Sequence, residues 1–160
     1  MARIILIETS TELCSAALAE NGEITSYRES TEPRTHASLT AVFVKEILEE
    51  RGLSVKDCDA VCVSKGPGSY TGLRVGVSTA KGLCFGAGLP LLAAGTLDIL
   101  VWQAFDEGIA PERCKYIVPM IDARRMEAYT AVFDADGRQI RETMPEIFSA
   151  DSYRELLEDG

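Results

Sequence analysis

The stretch from Arg3 to Arg28, RIILIETSTELCSAALAENGEITSYR, decides how the chain folds. Its first six residues, Arg3 to Glu8, form an apolar run of strand length. Thr9, Ser10 and Thr11 follow as a hydroxyl-rich turn. A second run, Cys14 to Ala19, ends at Glu20-Asn21-Gly22. Asn-Gly is the strongest short hairpin signal, because a two-residue turn needs positive φ at both positions. Glu23 to Arg28 then returns as a third strand, so the chain opens with an antiparallel meander.

Working outward, the polar segment Ser30 to Thr35 leads into a helix from His36 to Arg51, with Gly52 as its stop. Ala60 to Ser64 reads as a strand, and GPGSYTGLRVG from Gly66 to Gly76 as a glycine-rich loop that opens a helix over Thr71 to Ala87. Leu89 to Ala94 is a short strand and Thr96 to Phe105 a helix. Gly108-Ile109-Ala110-Pro111 marks a boundary, which divides the chain into 1–107 and 108–160. Beyond it, Tyr116 to Ile121 and Glu127 to Phe133 read as strands, Asp136-Gly137 as a hairpin turn and Arg138 to Thr143 as the return strand. Ser149 or Asp151 would cap a last helix. The second half therefore begins as the first did, which predicts a duplicated unit whose second copy is incomplete at Gly160.

The charge limits what the chain grips. A formal net charge of -9 opposes nucleic-acid binding by this chain alone, since phosphate contacts need clustered Lys and Arg. Any RNA substrate would have to meet a partner's basic surface. No run approaches the ~20 apolar residues of a membrane span, and the apolar run of MARIILIETST is too short for a signal peptide. The five cysteines, Cys14, Cys58, Cys62, Cys84 and Cys114, are odd in number and scattered through apolar stretches, as suits reduced thiols in the cytoplasm. Cys58 and Cys62 sit at a spacing that lets them share a strand face, yet no further Cys or His lies near enough in sequence to complete a zinc site.

The helix from His36 carries two apolar stripes. Leu39, Phe43 and Ile47, with Val42 beside them, form one, and Ala37, Ala41, Val44 and Leu48 form another, read as lying on roughly the opposite side. A helix with two stripes buries one against its own sheet and offers the other to something else. On the helix after the loop, Gly72, Gly76, Thr79, Ala80, Leu83 and Gly86 align as a mostly small surface suited to close approach. The two helices either pack only on each other and the sheet or form an interface with another subunit, through Ala37, Ala41, Val44, Leu48, Gly72, Gly76, Thr79, Ala80 and Leu83.

The loop matches no phosphate-binding fingerprint. G-x-G-x-x-x-G is one residue too long for a dinucleotide turn, and Lys65 precedes the loop instead of closing it in Gly-Lys-Ser/Thr. A strand-glycine-helix transition nonetheless presents free N–H groups, so the alternatives here are a tight turn and an anion site. The anion- or nucleotide-proximal candidates are Glu8, Thr9, Ser10, Gly66, Gly68, Ser69, Asp122 and Arg124. Glu8, at the end of the first strand, is the best single acid. Asp122-Ala123-Arg124-Arg125 is either a charged site at a strand end or a salt-bridged loop. His36 is the only histidine, which removes zinc-protease motifs and leaves a Ser-His-Asp triad without support; polar packing at the helix start is its expected role. No metal-ligand set and no cofactor follow from these residues.

ILIETST from Ile5 to Thr11, GPGSYTGLRVG, and MIDARRMEAY from Met120 to Tyr129 together resemble the TsaB (YeaZ) family, the inactive paralogues of the glycoprotease-like TsaD proteins. The resemblance implies an α/β fold of the actin, heat-shock-protein and sugar-kinase (ASKHA) superfamily. In it, a ribonuclease H-like lobe with a mixed five-stranded sheet flanked by helices is followed by a second lobe of the same type, here partial. It also implies a non-catalytic subunit of tRNA threonylcarbamoyladenosine biosynthesis. TsaD would transfer threonylcarbamoyl to the adenosine beside the anticodon, with a TsaE-type ATPase in the larger assembly and tRNA contacted only indirectly. The same two helices would join TsaD, or a second copy in a homodimer. Glu8 stands where the family usually has Asp. The competing expectation is an enzyme acting alone, an ASKHA ATPase or kinase or a glycoprotease-like peptidase.

Overall fold

The computed structural model describes residues 1–110 and 114–159; Pro111 of the expected boundary and the terminal Gly160 lie outside the described residues. Two compact units are present, Met1–Ala94 and Gly95–Gly160.

In the first unit, β1 (Arg3–Glu8), β2 (Cys14–Glu20) and β3 (Glu23–Ser30) form the expected meander. Asn21 and Gly22 turn it with φ of 55° and 91°, which an L-residue other than Asn tolerates poorly. α1 (His36–Glu50), a single 3-10 turn (Val55–Asp57), β4 (Ala60–Ser64), α2 (Tyr70–Ala87) and β5 (Leu91–Ala94) complete it. The sheet order is β3-β2-β1-β4-β5, with β4 parallel to both β1 and β5. This is the mixed sheet of an α/β actin-like fold.

Register decides the core. Ile5 faces Leu18 and Val61, and Ile7 faces Ala16 and Val63, so these side chains share one face of the sheet. α1 and α2 cover that face with Phe43, Val44, Ile47, Leu48, Ala80 and Cys84. On β3 the same face carries Ser26 and Arg28, which fasten the edge strand to α1. Ser26 Oγ donates to Glu50 at 2.8 Å, and Arg28 lies 2.9 Å from Glu50 and 3.4 Å from Glu46. The Ser26 hydrogen bond, followed by that of Arg28, holds the Glu50 carboxyl below its ordinary value.

The two-stripe reading of α1 is corrected here. At 100° per residue, Val44 stands about 60° from Ile47 and Leu48 about 140° from Phe43, so the stripes do diverge, but Val44 and Leu48 are covered as well. Both lie in the core, 2% and 3% exposed, with Thr40 buried between the two stripes. α1 therefore has one wide apolar arc, and only its fringe, Ala37, Ala41 and Val42, faces outward.

The second unit comprises α3 (Thr96–Asp106), β6 (Tyr116–Ile117), β7 (Met120–Arg124), β8 (Glu127–Asp134), β9 (Gln139–Ile147) and α4 (Arg154–Asp159). β6 and β7 were expected as one strand, and they do keep one register along β8, with Ile117 opposite Phe133 and Met120 opposite Thr130. Pro119, which has no N–H to give a ladder, lies in the gap. β9 pairs with β8 and runs on to Ile147, past the expected end at Thr143. α4 begins only at Arg154. Ser149 Oγ instead accepts from Asp151 N at 3.3 Å, in the turn before the helix. Leu97 and Val101 of α3 form a core with Ala131 and Phe133 of β8. That packing places α3 in the second unit, whereas the sequence reading put the break after it, at residue 108.

Candidate functional site

The residues singled out from the glycine loop meet at the end of β1. Thr9 and Ser10 are fully buried there, beneath the loop and the start of α2. Glu8 closes the strand end: its Oε1 accepts from Ser10 N at 2.5 Å and from Ser64 Oγ at 2.8 Å, tying β1 to the end of β4. His36 Nε2, at the start of α1, donates to the Thr11 carbonyl at 3.0 Å, a packing role on the far side of the same turn.

Three glycines explain why the loop reads as it does. A Cβ at Gly68 would stand 2.2 Å from the Ser10 carbonyl oxygen, one at Gly72 2.1 Å from the Thr9 carbonyl oxygen, and one at Gly76 2.2 Å from Thr9 Oγ1. No side chain fits at such distances, so glycine is what lets α2 lie directly on the β1 turn. Ser69 N donates to the Ser10 carbonyl at 2.6 Å, and Ser69 Oγ caps α2 by accepting from Gly72 N at 3.3 Å. The close approach that glycine permits is thus used on the protein's own backbone. A phosphate cradle would need such N–H groups turned toward a ligand; those of Ser69 and Gly72 are taken up within the protein, while the Thr9 and Ser10 hydroxyls at the same junction are buried without a hydrogen-bond partner. Glu8, Thr9, Ser10, Gly68 and Ser69 do come together, as a packed junction.

The helix surface differs from the expected set. Val44, Leu48, Gly72, Gly76 and Ala80 are buried inside the first unit, Thr79 and Leu83 are half-buried, and Ala37 and Ala41 are exposed. The sequence reading missed Phe85, which is 94% exposed on α2 between Gly82 and Gly86. Neither of those two glycines has an atom within 4 Å of where a Cβ would stand. Phe85 was detectable: it falls on the polar arc of Arg74, Ser78 and Lys81, opposite the small residues that meet the sheet.

Asp122 and Arg124 lie apart from this junction in sequence, in the second unit. Asp122 Oδ1 accepts from Arg124 N at 2.8 Å, and among the described residues neither Arg124 nor Arg125 forms an ion pair, so the salt-bridged loop is not what forms. Arg124, Arg125 and Met126 have φ of 69°, 57° and 62°, a region costing non-glycine residues on the order of 1–2 kcal/mol each. Elsewhere, burial pushes the Cys58 and Cys62 thiols up. Cys58 belongs to the core between sheet and helices, while Cys62, alternating with Val61 and Val63, is on the opposite face of the sheet.

Residues 28–158 match the family described as TsaD, tRNA N6-adenosine threonylcarbamoyltransferase. The chain belongs to this family. Within it, the chain groups with the TsaB (YeaZ) proteins. It is 37% identical over 138 residues to the Escherichia coli tRNA threonylcarbamoyladenosine biosynthesis protein TsaB, covering 86% of this chain and 58% of that one. The Haemophilus influenzae protein of the same description is 35% identical over 156 residues, covering 98% of this chain and 62% of that one. The chain therefore spans about three fifths of the length of these curated relatives. The solved structure of YeaZ from Pseudomonas aeruginosa is 27% identical with a TM-score of 0.78, covering 98% of this chain and 80% of that one.

Proposed function

We propose that this chain is a non-catalytic subunit in tRNA threonylcarbamoyladenosine biosynthesis that pairs with a TsaD-type catalytic subunit through the outer surface of α1 and α2. The observation that carries the reading is Phe85, a large aromatic ring 94% exposed on a helix beside two bare glycines. Desolvated aromatic anchors seated between small residues are what protein interfaces are built on. Ala37, Ala41 and Val42 are exposed apolar residues of α1.

The junction at Thr9 and Ser10 supports the non-catalytic part. In it the close approach of Gly68 and Gly72 and the Ser69 N–H are used on the protein's own backbone, so the enzyme alternatives are not favoured. In this reading the complex supplies the chemistry, a TsaE-type ATPase joins the larger assembly, and tRNA meets the partners first, since the chain carries a net charge of -9. Two copies of this chain would use the same helices in the partner's absence. Among the described residues no helix is long and apolar enough to cross a membrane, and the cytoplasm is the proposed location.

Co-purification with the TsaD-type subunit, followed by threonylcarbamoyl transfer with and without this chain, tests the proposal. Transfer that depends on the chain supports it. Transfer that proceeds equally well without it, or turnover of ATP by this chain alone, overturns it.

A further inference from the structure

The hairpin between β7 and β8 belongs to neither the helix surface nor the β1 junction, and it is built unlike the hairpin turns at Asn21-Gly22 and Asp136-Gly137. In those two hairpins the positive-φ positions are filled by residues that tolerate them, Asn21 and Gly22 in one and Gly137 in the other, whereas Arg34 and Tyr153 are single bulky residues at positive φ in other turns. Arg124 pairs with Glu127, so Arg125 and Met126 are the two loop residues, both at positive φ, and Arg124 before them is at positive φ as well. Three long side chains thus occupy positions at which Asn or Gly would cost least.

The tip is also held in place. Asp122 Oδ1 accepts from Arg124 N at 2.8 Å, and Phe148 N donates to the Met126 carbonyl at 2.9 Å. Arg124 and Arg125 are exposed, and Met126 is 72% exposed beside them. In a chain of net charge -9, neither guanidinium has a carboxylate partner among the described residues; Arg34, Arg74 and Arg141 share that, but only Arg124 and Arg125 are adjacent on one hairpin tip.

We infer that the tip is a docking point for an acidic patch on a protein partner, in which Arg124 and Arg125 take carboxylates and Met126 covers an apolar neighbour. Guanidiniums on a fixed frame bind carboxylates with little ordering cost. Two cations on an otherwise acidic chain suit a local patch better than a polyphosphate backbone, which is bound by many. The site itself needs no assumption about the helices; only the naming of TsaD as the partner rests on the proposed function.

The decisive variant is Arg125→Asn with Met126→Gly, which suits the turn and removes two of the three proposed contacts, those of Arg125 and Met126. Its melting temperature is expected to rise by roughly 4 °C or more. Its association rate with the TsaD-type subunit at low salt is expected to fall about tenfold, with a flatter salt dependence. A melting temperature that falls, or a rate that does not change, overturns the inference. NMR titration of the wild-type chain with hexaglutamate follows the Arg124 and Arg125 Nε–H signals independently of that partner. Saturable shifts that equal ionic strength of sodium chloride does not reproduce are expected. Their absence, or tighter binding of an RNA oligonucleotide through the same signals, overturns the inference. Wild-type chain that ignores the TsaD-type subunit yet shows the hexaglutamate shifts would sink the pairing and leave the acidic-patch site standing.

Discussion

A methyl group added at Gly72 would sit 2.1 Å from the Thr9 carbonyl oxygen, and one at Gly76 2.2 Å from Thr9 Oγ1. Something must move in each case, and at Gly72 it is backbone. Gly72→Ala and Gly76→Ala are each expected to lower stability by about 2–3 kcal/mol, read as a lower urea midpoint at unchanged slope. An unhindered helix would instead gain about 1 kcal/mol from the same change. Glu20 offers a second test at this scale. Arg3 Nε donates to it at 2.9 Å and Arg51 Nη2 at 3.0 Å, and its side chain is only 9% exposed. The Arg3 hydrogen bond, then Thr25 and Arg51, hold its pKa below the ordinary 4.5. A carboxyl depressed in the folded state stabilises it above the unfolded value and loses that contribution as pH falls through the folded one. Stability curves of wild type and Glu20→Gln should therefore differ at pH 7 and converge below the ordinary carboxyl range. Curves separated equally at pH 3 and pH 7 would remove the clamp from the account.

At the scale of the element, α1 and α2 each carry a face for the core and a face for the outside. Val44→Glu would place a charge among Ile5, Leu18 and Ile47 and should prevent folding, read as lost near-ultraviolet dichroism. Ala41→Glu, on the exposed fringe, should change stability by no more than about 0.5 kcal/mol and still abolish co-purification with the TsaD-type subunit. On α2, Gly82→Ala and Gly86→Ala have free space around the added methyl and should raise stability by about 0.5–1 kcal/mol each. Phe85→Glu should leave the melting temperature nearly unchanged and remove partner binding. If both Ala41→Glu and Phe85→Glu bound the subunit normally, the helix surface would be the wrong place to look.

For the whole molecule, the acidic balance and the closed β1 junction point the same way. Calorimetry of the isolated chain with ATP and magnesium should give no binding heat. Adding the chain to the TsaD-type subunit should raise threonylcarbamoyl transfer. The two compact units each carry a core of their own, one under α1 and α2 and one between α3 and β8. A lesion such as Gly76→Ala should accordingly shift probes in the first unit, while the tilted Trp102–Phe105 pair of α3 keeps its fluorescence.

Local signals were enough for the strands of the first unit. Apolar runs of strand length, Asn21-Gly22 between them and Gly52 after α1 are short-range physics, and the mixed sheet followed from their order. The three motifs also carried the family. The sequence did not reveal which side of α1 is covered, because that depends on a 100° step accumulated over a whole helix and on where the sheet lies. It left Gly68, Gly72 and Gly76 open between cradle and contact, since glycine serves any close approach, and only the fold showed that Thr9 and Ser10 are what approaches. The bulky turn at Arg124 to Met126 was invisible for a related reason. Residue identity states a preference for φ, and tertiary structure alone can hold a residue against it.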